Sequence, residues 1–159
     1  MSIITPDRYI LALRKTPVVL NALFHGVSQE QATTLTDGPG GWNAVEALCH
    51  IRDYAPFVLE RMHLILEHDN PILPAFEPED NVRDYAHADV ATELAAFVAS
   101  RKELVALLEG LSEAQWQRTG VLSKYGDGTL LEFAVHTVWH DLNHIEQIAR
   151  TLKLSDALV

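Results

Sequence analysis

The sequence predicts an all-α protein, a four-helix bundle with a long crossover connection. Three observations carry this. Four segments repeat apolar residues every three to four positions, the period of a helix packed on one face. No segment gives a strand signal. Between the second and third segments, residues 69–88 hold Pro71, Pro74, Pro78 and several acids. Up-and-down bundles use shorter loops, and a connection this long permits a crossover between parallel neighbours.

The first helix is expected from about Pro6 to His25. Thr5 is the candidate N-cap, Pro6 suits the first turn, and Asp7 suits the helix dipole. Pro17 lies inside and should kink or split it, and Gly26 should stop it. DGPGG at 37–41 is a loop. The second helix is expected from Trp42 to His68, with its stripe on Val45, Leu48, Ile51, Ala55, Val58, Met62, Ile65 and Leu66 and a kink at Pro56. The third runs from Val90 to Glu109, capped by Asp89 and ended by Gly110. Its stripe is Val90, Leu94, Phe97, Val98, Arg101, Leu104, Val105 and Leu108. LSEAQW (111–116) reads as a short helical turn and KYGDG (124–128) as a turn. Thr129 and Glu132 form a capping-box pattern opening the fourth helix, which ends near Leu152. Its expected stripe is Leu131, Ala134, Val135, Val138, Leu142, Ile145, Ala149 and Leu152.

The 159 residues suit one domain spanning 1–159, long enough to bury a core without staples. The formal net charge is −10, and the twelve basic residues form no cluster. That argues against nucleic acid and against an anionic membrane surface. The single cysteine, Cys49, excludes an intrachain disulfide and a cysteine-built zinc site. No signal peptide and no membrane-spanning run is read, so a cytoplasmic location is expected.

Eight histidines are many for this length, and His136, His140 and His144 share the last helix. Residues four apart sit about 6 Å apart in rise and about 40° apart in angle, so two such imidazoles can chelate one ion. Spacing alone does not choose between the pairs 136/140 and 140/144. A solvated histidine face, opposite the expected apolar stripe, is the rival reading. A third ligand must come from another helix, and His50 is a candidate. It lies about 100° off its helix's stripe, on a flank shared with Asn43, Tyr54 and Arg61 that could edge a cleft. Three neutral imidazoles would leave coordination positions open, as at a catalytic site, where bound water or thiol is acidified. HDLNH (140–144) has the histidine spacing of the zinc-protease motif H-E-x-x-H, but Asp141 stands where glutamate is needed. Gln147 and Arg150 fail the extended pattern.

TPVVLNALFHGVS, GWNAVEALCHIRDYAPFVLERM and HTVWHDLNHIEQI, in that order, resemble segments of the DinB/YfiT-like superfamily of bacterial four-helix-bundle metalloproteins. TPVVLNALFHGVS in the first helix is similar to the family's T-P-x-x-L segment followed by glycine. GWNAVEALCHIRDYAPFVLERM resembles its Trp-x-x-x-Glu-x-x-x-His segment, with Trp42, Glu46 and His50, then Asp53 and Arg61. HTVWHDLNHIEQI resembles its His-Asp-x-x-His…Gln-Ile segment, with His140, Asp141, His144, Gln147 and Ile148. The resemblance implies a metal triad of His50, His140 and His144, with His136 a bystander or supporting residue. It further implies one divalent ion per chain, zinc or nickel first, and a homodimer. By the same analogy the function is a metal-dependent enzyme acting on a small-molecule substrate. Its first form activates a low-molecular-weight thiol cosubstrate, as bacillithiol- or mycothiol-type S-transferases do. The alternatives are a hydrolase using metal-activated water and a non-catalytic metal-binding bundle.

Other residues are weighed against ordinary structural roles. Asp53 and Asp141 could orient histidines. Glu46 could bond His50 or face water. Cys49 points about 100° from His50 and reads as a small packing residue. Arg61 and Arg83 could bind an anionic substrate, Trp42 reads as packing, and Trp139 could wall a pocket. His25, His63, His68 and His87 have no evident partner.

Overall fold

The computed structural model describes residues 4–76, 85 and 88–153. Its elements are α1 (Pro6–Phe24), α2 (Gln29–Thr34), α3 (Ala44–Glu67), α4 (Val90–Glu109), α5 (Glu113–Trp116), β1 (Thr119–Leu122), β2 (Gly126–Thr129) and α6 (Leu130–Thr151). The four long helices form a bundle in which α1 and α3 each pack on both α4 and α6. Helices α1 and α3 therefore lie on one diagonal, α4 and α6 on the other.

Two core clusters fix the helix directions. One joins Leu20 and Phe24 of α1 with Val45 and Leu48, Leu94 and Phe97, and Ile145 and Ile148. The other joins Ile10 and Leu13 with Val58 and Met62, Leu104 and Leu108, and Leu130 and Ala134. So α1 runs parallel to α6, and α3 runs parallel to α4 in the opposite sense. A chain leaving the end of α3 must travel back about 36 Å to begin α4. This is the expected crossover; residues 77–84 and 86–87 of it, including Arg83 and His87, lie outside the described residues.

Local chemistry sets the boundaries. Asn43 and Glu46 form a reciprocal capping box at α3, Thr129 and Glu132 another at α6, and Asp89 accepts from Thr92 at α4. Thr5 occupies the N-cap position of α1 but makes no side-chain cap bond. Helix α1 is not split at Pro17. Proline removes the N–H that Leu13 O would accept, and the Thr16 hydroxyl, 3.2 Å from that oxygen, takes its place. Helix α2, with its Ser28–Gln31 capping box, was not expected.

The sequence gives no strand signal, yet β1 and β2 pair as an antiparallel hairpin. Its strands are four residues each, and glycines 120, 126 and 128 hide the alternation. The hairpin is held from outside: Leu73 N donates to Val121 O and Val121 N to Pro71 O, both at 2.8 Å. This docks the start of the crossover onto β1. Gly120 permits the close approach, since a Cβ there would lie 2.9 Å from Ile65 and 3.0 Å from Leu73.

The buried face of α6 also differs from the expected stripe. It runs through Leu130, Ala134, Thr137, Val138, Asp141, Ile145, Ile148 and Thr151, while Leu142 is exposed. The cause is a polar contact at the bundle centre. Arg101 and Asp141, both fully buried, meet across the α4–α6 diagonal through Nε–Oδ2 at 2.8 Å and Nη2–Oδ1 at 2.5 Å. The Thr16 hydroxyl lies 3.1 Å from Asp141 Oδ2.

Candidate metal centre

Turning Asp141 inward brings its neighbours His140 and His144 to the edge of the core rather than to its far side. They are half-buried and face His50, itself buried on α3. One ligand nitrogen from each of the three lies within 4.8 Å of the others. His50 Nε2 and His140 Nε2 are 3.2 Å apart. Two nitrogens bound at about 2.0–2.1 Å to one tetrahedral ion lie about 3.3 Å apart, so this pair already has a metal's bite. His136 stays outside the cluster, its ring 5.8 Å from Trp139 and 6.1 Å from Tyr125.

The tautomer of His144 is set from behind. Its Nδ1 lies 2.8 Å from Gln147 Oε1, an acceptor, so Nδ1 carries the proton and Nε2 keeps a free lone pair. Gln147 Nε2 donates to Asp37 Oδ2 at 3.1 Å, and Arg150 pairs with Asp37. This support, one helical turn beyond the ligand and from the 37–41 loop, is what sequence reasoning missed. The histidine–glutamine spacing of three was the available signal. The Nδ1 of His140 is buried and has no hydrogen-bond partner among the described residues.

Aromatic rings enclose the cluster. Trp42 lies 5.0 Å from His50 and stacks on His144 at 6.2 Å, so it walls the site rather than merely packing. Tyr54 lies 4.2 Å from His140, and Phe76 5.6 Å from His50. Burial in this apolar ring pushes the His50 pKa from 6.5 down to about 4; the nearby His144 adds to the shift and Asp53 opposes it. His140 is pushed down further, by burial first and then by its histidine neighbours, and His144 is lowered chiefly by burial. All three are therefore neutral at pH 7 and need lose no proton to act as ligands. The donor set, its spacing and its protonation state fit a divalent ion.

The acids near the cluster are engaged elsewhere. Asp141 serves Arg101 instead of a histidine. Glu46 accepts from Asn43 N. Asp53 accepts from the Tyr85 hydroxyl at 2.7 Å. Cys49 is fully buried in the core, and burial raises its pKa to about 11, which makes it inert as a nucleophile. Beside the histidines opens a cleft of about 340 Å³, lined by His50, His140, Tyr54, Arg61, Phe76 and Trp139 among others. The flank of α3 that carries His50, Tyr54 and Arg61 does edge a cleft.

The fold and the histidine cluster define a helical-bundle protein with a site able to hold a metal. The family model of the DinB superfamily matches residues 12–148, and the chain belongs to that superfamily. Two curated relatives are each named "Putative metal-dependent hydrolase". One, from Halalkalibacterium halodurans, is 26% identical over 149 residues, covering 91% of this chain and 84% of the relative. The other, from Oceanobacillus iheyensis, is 24% identical over 110 residues, covering 69% of this chain and 64% of the relative. Among solved structures, YfiT from Bacillus subtilis shares the fold, with a TM-score of 0.87 at 23% identity, covering 97% of this chain and 89% of that one. It is described as "a probable metal-dependent hydrolase with an unusual four-helix bundle topology". No helix among the described residues is long and apolar enough to cross a membrane.

Proposed function

We propose that His50, His140 and His144 hold one divalent metal ion and that the protein is a metal-dependent enzyme acting on a small molecule in the adjoining cleft. The observation that carries this is the convergence of three neutral imidazoles, two of which, His50 and His140, line that cleft. Three protein ligands leave open a position for a small molecule, and no fourth protein ligand joins them among the described residues. A bound divalent ion acidifies a coordinated water toward neutrality and deprotonates a coordinated thiol outright.

The reaction read first is transfer of a small thiol to an electrophile. No carboxylate among the described residues lines the cleft, and the nearby acids are committed to other partners. A nucleophile that needs no separate general base suits such a site. Hydrolysis is the second reading, favoured by the names of the two curated relatives and of YfiT. In either case His144 is oriented by Gln147, and Trp42 and Phe76 flank the histidines with aromatic surface.

The test is elemental analysis of tag-free protein beside His50→Ala and His144→Ala. About one ion per chain in the wild type, lost in both variants, is expected. An ion retained in either variant, or none in the wild type after reconstitution, overturns the site. Consumption of an aryl electrophile only when a thiol is added supports transfer; ester cleavage in water alone supports hydrolysis.

A further inference from the structure

Arg61 is the second buried arginine among the described residues, with 6% of its surface exposed. Unlike Arg101, it faces no carboxylate: among the described residues its partners are all neutral. Nε and Nη2 donate to Pro74 O at 2.9 and 2.6 Å, and Nη1 donates to the Tyr54 hydroxyl at 3.0 Å. The two bonds to Pro74 O pin the crossover to α3, and the third stays within α3. Among the described residues the three bonds leave two of the five guanidinium N–H groups unused. This buried positive charge also has no counter-charge among the described residues, which is costly unless something supplies one.

The surroundings show where the anion belongs. Arg61 and Tyr54 both line the cleft beside His50 and His140. Tyr54 accepts from Arg61, so its own O–H remains available to donate. Lys124 stands at the exposed rim of the same cleft. No acidic side chain among the described residues lines it, although the chain carries a net charge of −10. Phe76, Tyr125 and Trp139 supply aromatic wall.

We propose that Arg61 and Tyr54 form an anion-binding subsite that selects substrates carrying a carboxylate on an apolar or aromatic body. The carboxylate accepts from the free guanidinium N–H groups and from the Tyr54 hydroxyl, and the body lies along the aromatic wall toward the histidines. A planar guanidinium matches a carboxylate in shape. One buried cation in an apolar cleft suits a single negative charge better than a phosphate dianion. The proposal rests on the metal-enzyme reading for its meaning as a substrate site, but its test does not.

The experiment titrates phenylacetate and its uncharged isostere phenylacetamide into the metal-loaded full chain by calorimetry, with metal content read on each sample. Phenylacetate should bind about ten-fold tighter or more, the worth of a hydrogen bond to a charged group. In Arg61→Gln that preference should vanish while phenylacetamide affinity and metal content hold. Lys124→Gln, on the exposed rim and safe for folding, should weaken phenylacetate about two- to three-fold and flatten its salt dependence. Equal binding of the two probes by the wild type overturns the subsite and makes Arg61 a structural pin. A preference that survives Arg61→Gln overturns it too, placing the carboxylate on the metal and leaving the metal reading intact. A preference that depends on Arg61 in wild-type protein that takes up no metal even after reconstitution keeps the subsite and removes the metal reading.

Discussion

At the scale of single residues, the histidine cluster is tuned by what lies behind and around it. Gln147 fixes the tautomer of His144 and is itself fixed by Asp37. Gln147→Leu should therefore keep the fold but weaken metal affinity about 10–100-fold, the usual worth of such support, measurable by competition with a chromophoric chelator. Unchanged affinity would mean that His144 needs no orienting partner. The depressed pKa values give a second prediction. A free imidazole titrates near 6.5, and His50 in the folded protein near 4. Between those values the unfolded chain holds the proton and the folded chain does not. Stability of the metal-free protein is therefore full above pH 6.5 and falls as pH drops toward 4. Urea midpoints of chelator-treated protein at pH 7 and pH 5 should differ, and His50→Phe should narrow the difference. The same shift means that metal binding at pH 7 expels few protons from the ligands.

At the scale of elements, the Arg101–Asp141 pair ties α4 to α6 across the diagonal, with Thr16 of α1 joining at the same carboxylate. Asp141→Asn strands a buried guanidinium and should cost about 3–5 kcal/mol in urea denaturation, whereas Arg101→Met with Asp141→Leu together should recover most of it. A small single-mutant effect would show that water reaches the bundle centre. This pair also explains what the sequence disclosed and what it hid. The α4 boundaries, the capping box of α6 and the buried stripe of α4 are legible because they depend on neighbours in sequence. Arg101 even stands in that stripe, the one sign that a buried acid awaited it. Which acid could not be read, because Asp141 lies forty residues away and sits beside a tempting histidine motif. The apolar periodicity alone therefore puts Leu142 inside and His140 and His144 on the far side, whereas α6 is turned to bury Asp141 and expose Leu142. Helix α2 carries its signature in the Ser28–Gln31 capping box. The hairpin had none, since its order comes from the 71–73 segment bonding to β1. The resemblance, not spacing, singled out His50 with His140 and His144, and the geometry brings those three together and leaves His136 apart.

At the scale of the whole molecule, the histidines join two helices that run in opposite directions and that are far apart in the chain. His50 lies in the first two turns of α3, and His140 and His144 lie at the middle of α6 and one turn beyond it. An ion held by all three binds only the folded bundle, so its binding energy adds to the stability of the whole. At free metal about a hundredfold above Kd the gain is about 2.7 kcal/mol. For a chain of this length each kcal/mol moves the melting midpoint by about 2–4 °C, so loading should raise it by about 5–10 °C. Calorimetry of chelator-treated protein with and without added zinc checks this. His140→Ala supplies the control: it keeps the Arg101–Asp141 tie and both core clusters but removes a ligand, and should gain little from zinc. A rise of the same size in His140→Ala would place the ion elsewhere on this acidic surface. No rise in the wild type would mean that α3 and α6 are held by packing alone, with three neutral imidazoles facing one another for another purpose.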